Sequence, residues 1–267
     1  MPVSSLSYGS AEAGRVPAAW RRRLVAELRA AARACALTLA YQPRVRLADD
    51  SPAGAEALLR WPHPSRGLIP PSVFIPMAEE SDLILELGGF ALRQATAEAA
   101  RWPGLCGKVS VNVSARQLQR GKLLQQVEQA LEESGLPPER LELELTESLL
   151  VEGTAEAIAT LTRLRDMGIG LALDDFGTGY ACLTLLKRLP LSVLKVDRGF
   201  VAGLPGDAGD LAIVRALRDL TRALGLTMVA EGVETEAQRA MLTDIGCDEG
   251  QGYLFGRPGD AAAMRLS

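Results

Sequence analysis

The 267-residue sequence predicts an α/β protein, a modified eight-stranded (β/α)8 barrel of the TIM type whose first strand is antiparallel. Three observations predict this fold. Short β-branched or leucine-rich runs alternate with longer amphipathic stretches, as βα units require. Eight such runs occur, with no obvious linker and no fixed-period repeat among them. The first two are joined by about seven residues, ADDSPAG; this is too short for a helical crossover, so they are expected to form a hairpin.

The N-terminal region predicts a tail followed by a helix. Residues 1–16 are small and polar and are expected to form a flexible tail, and residues 17–267 are expected to form a single barrel domain. The stretch Pro17 to Ala36 predicts the first helix, because Leu24 and Leu28 recur at helical spacing after a proline suited to a first turn.

The remaining elements follow from the changes in apolar period. The eight predicted strands occupy 37–45, 53–60, 108–113, 140–146, 169–174, 192–197, 226–231 and 250–254. Helices are expected between most of them, and the clearest are 115–134, 154–167 and 207–224. Gly135, Gly168 and Gly225 lie just past these three helices and are expected to end them.

Composition excludes several classes of function. The net charge is -4, with 29 basic and 33 acidic residues, so binding of duplex nucleic acid by counterion release is disfavoured. His63 is the only histidine, which disfavours zinc. Four separated cysteines without a CxxC pair, and the lack of a signal peptide, predict a reduced, cytoplasmic protein. No apolar run is long enough to cross a bilayer, so direct membrane insertion is not expected.

Polar side chains recur at the C-terminal ends of the predicted strands, where barrels of this type hold their chemistry. In chain order they are Glu56, Asn112, Glu144 with Glu147, Asp174 with Asp175, Lys195 with Asp197, Glu231 with Glu234, and Gln251. Any one of these acids could be a surface residue or a helix cap, and for Glu147 alone a cap is favoured. Their coincidence on consecutive strands favours a shared site.

So many carboxylates in one cavity repel one another unless cations balance them. Oxygen ligands without histidine suit hard ions such as Mg²⁺ or Mn²⁺, and the number of ligands is enough for two ions. Two such ions can clamp the attacking and leaving oxygens of a phosphoryl displacement. The pattern therefore predicts metal-dependent phosphodiester hydrolysis by activated water.

Nine segments of the sequence form a recognisable set of motifs. They are YQP (41–43), GAEALLRW (54–61), FIPMAEE (74–80), SVNVSARQL (110–118), LELELTES (141–148), LALDDFGTGY (171–180), LKVDRGFV (194–201), VAEGVET (229–235) and QGYLF (251–255). Together they resemble the EAL-domain phosphodiesterases, a family that hydrolyses cyclic di-GMP to linear pGpG. The resemblance covers about residues 20–258, and no GGDEF sequence of the cyclase type is present. The family fold is a modified barrel with an antiparallel first strand.

The resemblance implies roles for individual residues. It implies one ion bound by Glu56, Asn112, Glu144 and Asp174, a second held with the help of Asp175 and Glu231, and Ca²⁺ as an inhibitory ion. Lys195 would contact the attacking water, whether or not it deprotonates that water, and Glu147 would support the DFGTGY loop; with Glu56, these are the residues on which catalysis is expected to depend. Arg60 would grip a substrate phosphate. Gln42, Leu58, Asp197, Glu234 and Gln251 would line the nucleotide pocket.

Alternatives stay open for two of these residues and for the function itself. Arg60 could instead form a salt bridge within the carboxylate cluster, and Leu58 could be ordinary core. A non-catalytic cyclic di-GMP receptor that signals to a protein partner is the main rival to the enzyme, and a hydrolase of other dinucleotides is the second. The complete ligand set favours the enzyme over the receptor.

The resemblance also implies a homodimer formed through the DFGTGY loop region. The sequence departs from the usual family residues at five positions: Arg44, Asp82, Ala181, Cys182 and Gly199. None of these removes a metal ligand. They bear on loop dynamics and dimer coupling rather than on the active-site chemistry.

Overall fold

Eight strands close into one barrel. The computed structural model describes residues 18–102, 107–146, 154–176 and 186–262, without the side chains of Ala18 and Asp175. The strands of the barrel and of one short extension are β1 (Thr38–Arg46), β2 (Pro52–His63), β3 (Gly67–Ile69), β4 (Lys108–Val113), β5 (Leu141–Thr146), β6 (Gly170–Phe176), β7 (Val193–Val196), β8 (Thr227–Ala230) and β9 (Glu249–Gln251). β1 pairs with both β2 and β9 and so closes the barrel, whereas β3 pairs only with β2.

The direction of the strands agrees with the prediction. β1 is antiparallel to β2 and to β9, and β2 and β4 to β9 run parallel to their neighbours around the barrel. The predicted fold class and the predicted hairpin are therefore confirmed, and all eight predicted strands are present, with ends that differ by a few residues.

Helices surround the barrel. The described helices are α1 (Ala18–Arg33), α2 (Pro71–Glu80), α3 (Ile84–Ala99), α4 (Ala115–Gln119), α5 (Leu123–Ser134), α6 (Ala155–Asp166), α7 (Arg198–Ala202), α8 (Ala208–Leu224) and α9 (Glu236–Ile245). Gly135 and Gly225 end α5 and α8 in the left-handed conformation, as predicted. Gly168, just past α6, also has a positive φ.

One predicted helix is wrong as a continuous element. The stretch 115–134 is two helices, α4 and α5, because Gly121 between them adopts a φ of +63° that a helix does not allow. The glycine falls within an otherwise helical pattern of apolar residues, so the pattern alone did not reveal the break.

The strands separate an apolar face from a polar one. In β5, Leu141, Leu143 and Leu145 belong to the main hydrophobic core beneath the helices, while Glu142 and Glu144 alternate with them and are fully buried. Polar side chains buried on successive strands thus share the barrel interior. The predicted alternation of LELEL is confirmed.

A second, smaller core lies beside the barrel and was not predicted. β2 runs past the barrel and turns back as β3, and α1 and α2 pack against this extension. Leu24 and Leu28 of α1 meet Trp61 and Phe74 in this core. The apolar spacing recognised in α1 therefore serves this smaller core, which supports β2 from outside the barrel.

Membrane-spanning segments and thiols can be assessed only for the described residues. In the part of the chain that the structure describes, no helix is long and apolar enough to span a membrane. Cys35 and Cys247 are free thiols, and Cys106 and Cys182 lie outside the described residues. The predicted tail, residues 1–16, also lies outside them.

Candidate active site

Lys195 is the centre of the polar cluster in the barrel. It lies on β7 and is fully buried, although an ammonium group is costly to remove from water. Its Nζ lies 2.5 Å from Glu231 Oε1, 3.0 Å from Glu144 Oε2, 3.1 Å from Asp174 Oδ1 and 3.8 Å from Glu56 Oε2. Four carboxylates from four strands or strand ends therefore converge on one cation.

Amide side chains orient Glu56 on β2. Asn112 Nδ2 donates to Glu56 Oε1 at 2.7 Å, and Gln251 Nε2 donates to Glu56 Oε2 at 2.6 Å. Gln251 Nε2 also lies 3.3 Å from Gln42 Oε1, and Gln42 donates to the carbonyl of Gly256. The chain of amides runs across β1, β9, β2 and β4, so the closing strands of the barrel hold this carboxylate in place.

The cluster contains more negative than positive charge. Burial and the neighbouring carboxylates raise the pKa of Glu144 well above its usual value, and burial is the main cause that raises the pKa of Glu231 to about 7. Burial also opposes ionisation of Glu56, but Lys195 and the two amides outweigh it and lower the pKa of that carboxyl group. Burial alone would lower the pKa of Lys195, but the four carboxylates raise it well above its usual value.

A second ion cluster lies deeper in the barrel. Arg44 Nη1 is 2.6 Å from Glu142 Oε1 and Arg44 Nε is 2.8 Å from Glu249 Oε2, and Ser110 donates to the same Glu142 oxygen at 2.9 Å. Arg44 is only 3% exposed. Glu142 thus shares a face with Glu144 but pairs with Arg44 rather than joining the polar group at the barrel mouth.

Two cavities adjoin the carboxylate cluster, and both have Glu56 in their walls. The first cavity, about 470 Å³, is mainly apolar and lies between β2, β4, α2 and α3. The second cavity, about 210 Å³, is more polar and has Gln42, Glu231, Glu234 and Gln251 in its wall. The site therefore offers two cavities that share one carboxylate in their walls.

The structure brings most of the predicted residues together. Of the set expected to bind metal, Glu56, Asn112, Glu144, Asp174 and Glu231 are in or beside the cluster around Lys195. The side chain of Asp175 and all of Glu147 lie outside the described residues, as do Ala181 and most of the DFGTGY segment. Their predicted roles, and dimerisation through that segment, stay predictions.

The predicted substrate-binding residues have several different environments. Gln42, Glu234 and Gln251 line the second cavity, and Leu58 lines the first. Arg60 makes no ion pair within the described residues; it donates to the carbonyl of Leu59 at 3.1 Å. Burial lowers the pKa of its guanidinium.

Asp197 has a structural partner instead of a place in either cavity wall. Its carboxylate accepts a hydrogen bond of 2.9 Å from the backbone N–H of Gly199 and caps α7. Gly199, one of the departures from the family, is therefore part of this cap.

Two residues of the second cavity were missed in the sequence. Tyr253 and Arg198 line it, and Tyr253 is 51% exposed with the guanidinium of Arg257 stacked 4.1 Å from its ring centre. An available signal was the position of Tyr253 two residues after Gln251, which places an aromatic ring near the same strand end. An exposed ring at the edge of a cavity is suited to stacking on a flat base.

The residues present fit divalent cations. Both carboxylate oxygens of Glu144 are buried, and the Lys195 ammonium 3.0 Å from Oε2 is the one cation beside them among the described residues. The available ligands are carboxylate and amide oxygens, which hard cations prefer. Within the described residues no group of three or more His, Cys, Asp or Glu side chains has the geometry of a metal site. The carboxylates instead point at the ammonium of Lys195.

Fold and site together define a class of protein: a barrel with an oxygen-rich, acidic site at the C-terminal ends of its strands. Comparison with known proteins identifies the family. Residues 25–258 match the model of the EAL domain. The chain belongs to the EAL domain family.

Several relatives are similar over nearly the whole chain. The chain is 44% identical over 250 residues to the bifunctional diguanylate cyclase/cyclic di-GMP phosphodiesterase MucR of Pseudomonas aeruginosa, covering 92% of this chain and 36% of MucR. It is also 44% identical to the cyclic di-GMP phosphodiesterase NbdA of the same species, covering 89% of this chain and 31% of NbdA. The chain thus spans about a third of the length of these curated relatives.

Solved structures agree with the fold. The structure of the PaMucR phosphodiesterase in complex with c-di-GMP matches with a TM-score of 0.86 and 44% identity, over 91% of this chain and 99% of that chain. The EAL domain of FimX from Pseudomonas aeruginosa, bound to c-di-GMP, matches with a TM-score of 0.81 and 25% identity, over 88% of this chain and 96% of that chain.

Proposed function

We infer that this domain hydrolyses cyclic di-GMP to linear pGpG with the help of Mg²⁺ or Mn²⁺. The observation that carries the proposal is the cluster of four carboxylates around Lys195, with Glu56 in the walls of two cavities. A cyclic dinucleotide has two bases joined by a phosphodiester ring, so one base in each cavity would leave the phosphodiester beside the carboxylates. The similarity to the MucR phosphodiesterase domain supports the same substrate.

The excess of carboxylates supports two cations rather than one. Glu56, Asn112, Glu144 and Asp174 would hold one ion, and Glu231 and Asp175 would help to hold the other. When bound, the ions would supply positive charge to the phosphodiester and activate the attacking water. The carboxylates would then be shared between the bound ions and Lys195.

Lys195 is best suited to donate hydrogen bonds. The surrounding carboxylates hold the pKa of Lys195 well above its usual value, whereas bound divalent ions would lower it. In the proposed reaction its N–H groups would orient the water or a phosphate oxygen. Asn112 and Gln251 would keep the Glu56 carboxylate aligned, because each already donates to one of its oxygens.

Hydrolysis of cyclic di-GMP by the purified protein tests the proposal. Parallel reactions contain Mg²⁺, Mn²⁺, Ca²⁺ or EDTA, and chromatography resolves pGpG from the substrate. We expect pGpG with Mg²⁺ or Mn²⁺ and none with EDTA or Ca²⁺. Intact substrate despite measurable binding would assign the domain to non-catalytic receptors, and equal cleavage of cyclic di-AMP would reject specificity for guanine.

A further inference from the structure

We propose that Glu79 reads the guanine base in the first cavity and so selects guanine over adenine. The inference rests on the proposed function, because it assumes a cyclic dinucleotide at the carboxylate cluster. The first cavity is continuous with that cluster, since Glu56 and Asn112 are part of its wall. A base placed there would remain attached to a phosphodiester at the cluster.

The first cavity is suited to a flat, mostly apolar ring. Leu58, Ile75, Leu87 and Val111 contribute to its walls, and its volume of about 470 Å³ is within the range of ligand sites. Specific recognition in such a cavity depends on its few polar groups. Glu79 on α2 supplies a carboxylate at this wall.

Ser114 orients the carboxylate of Glu79. The Ser114 hydroxyl donates to Glu79 Oε1 at 2.7 Å, and the same oxygen of Ser114 accepts the backbone N–H of Arg116 at 3.3 Å. This N–H belongs to the first turn of α4, which Ser114 caps, and it occupies the hydroxyl oxygen as an acceptor while the hydroxyl proton points to Glu79. The carboxylate of Glu79 is therefore oriented in the absence of a ligand.

The second oxygen of Glu79 is available. Among the described residues no donor contacts Glu79 Oε2, and the side chain is half-buried at the cavity wall. Glu80, the next residue, instead forms a salt bridge of 2.7 Å with Arg21 of α1 and does not line the cavity. The two adjacent acids thus have different environments.

Guanine is the base that matches a carboxylate. Its Watson–Crick edge presents two neighbouring donors, the N1–H and the exocyclic N2–H, whereas adenine presents an unprotonated N1 that a carboxylate repels. An ionised carboxylate can only accept hydrogen bonds. A site that would leave a buried polar group unpaired discriminates strongly against the wrong ligand.

A substitution combined with a modified ligand tests the role of Glu79. Glu79→Gln keeps the size of the side chain but replaces one acceptor oxygen with an NH₂ donor. Glu80→Gln is the matched control, and cyclic di-IMP lacks the N2 amino group of guanine. KM and kcat are measured for both ligands, with Kd measured in parallel by calorimetry, and melting temperatures report the fold.

We expect Glu79→Gln to raise KM and Kd for cyclic di-GMP by about tenfold or more, with kcat within about threefold of the wild type. Because part of the lost interaction is with N2–H, the preference for cyclic di-GMP over cyclic di-IMP should fall at least about threefold. Glu80→Gln should change neither value.

Two results would overturn the inference. One is an unchanged KM in Glu79→Gln; the other is an equal rise for both ligands with a lower melting temperature, which is the signature of a purely structural role. Failure of the proposed function would look different, because the wild-type protein itself would then neither bind nor hydrolyse cyclic di-GMP.

Discussion

At the scale of the residue, Glu56 is the carboxylate that connects the parts of the site. It contacts Asn112 and Gln251, lies 3.8 Å from Lys195 and borders both cavities. The sequence predicts a functional role for Glu56 because an acid inside an apolar strand cannot be explained as a helix cap. Its position in the structure agrees with that argument.

We expect Glu56→Ala to abolish hydrolysis of cyclic di-GMP while leaving the fold intact. The substitution removes a proposed metal ligand, but it also relieves repulsion within the carboxylate cluster, and three carboxylates still pair with Lys195. Formation of pGpG and a thermal melt measure the two effects. Glu128→Ala, on an exposed helix position with only a 3.9 Å contact to Arg163, is the control. A variant with most of its activity left would contradict the metal assignment.

Arg44 illustrates a departure from the family that the structure explains. The residue replaces an aliphatic side chain with a cation, but Glu142 and Glu249 surround it within the barrel. We expect Arg44→Met to lower the free energy of unfolding by about 3–5 kcal/mol, because the buried Glu142 and the partly buried Glu249 lose their partner.

Urea unfolding measures this loss. Additional Glu142→Gln and Glu249→Gln substitutions should restore part of the stability, since they remove the unpaired charges. A loss below about 1 kcal/mol for Arg44→Met alone would show that the ion cluster does not support the barrel.

Asp82 is a second departure with a local explanation. It has a φ of +55° in the turn between α2 and α3, a conformation that favours glycine, which is common there in the family. Its carboxylate pairs with Arg116 and Arg120 of the α4 region. The turn therefore keeps its left-handed backbone and gains ion pairs to the neighbouring helix.

At the scale of the element, the start of α9 connects helix capping to the second cavity. Gln238 Oε1 accepts the backbone N–H of Glu234 at 2.8 Å and that of Thr235 at 3.0 Å, and its Nε2 donates to the carbonyl of Val201 at 3.2 Å. The helix start thus determines where Glu234 lies in the cavity wall.

We expect Gln238→Ala to destabilise the protein by about 1–3 kcal/mol and to raise KM severalfold, because buried backbone groups lose their partner and Glu234 loses its support. Asp207→Ala is the matched control. It removes the exposed N-cap of α8 and lines neither cavity, so it should cost about 1 kcal/mol without changing KM. Equal KM values in both variants would contradict the role of Gln238.

At the scale of the whole molecule, the carboxylate cluster makes stability depend on pH and on cations. Glu144 and Glu231 have raised pKa values in the folded protein, the latter about 7. The contribution of such a group to stability is fully present at a pH below its unfolded pKa, which is near 4.5 for Glu231. It is lost as the pH rises through the pKa of the folded protein. The pKa values of Glu56 and Glu142 are lowered in the folded protein. These two groups therefore stabilise the fold at neutral pH and lose that contribution only as the pH falls through their folded pKa values.

In EDTA, we therefore expect the free energy of unfolding to fall between pH 5 and pH 8, by on the order of 3 kcal/mol from Glu231. Added Mg²⁺ should reduce or remove this decline, because the ion binds the ionised carboxylates of the folded state. Urea titrations at the two pH values, with and without Mg²⁺, measure it. Equal stability at both pH values in EDTA would show that ionisation of the carboxylate cluster does not destabilise the folded protein.

The strands, the antiparallel hairpin and most of the acidic site could be predicted from the sequence, because strand period, loop length and strand-end position are local properties of the chain. LELEL placed Glu144 opposite its leucines, and the short ADDSPAG connection implied the antiparallel hairpin. Tertiary structure decided which charges became partners. Glu142 meets Arg44 from across the barrel, Asp197 caps a helix and Glu79 lies at a cavity wall. Arg44 and Glu142 are far apart in sequence, as are Glu79 and its partner Ser114, so only the folded chain brings them together, whereas the cap of Asp197 on Gly199 is a local contact that strand period does not reveal.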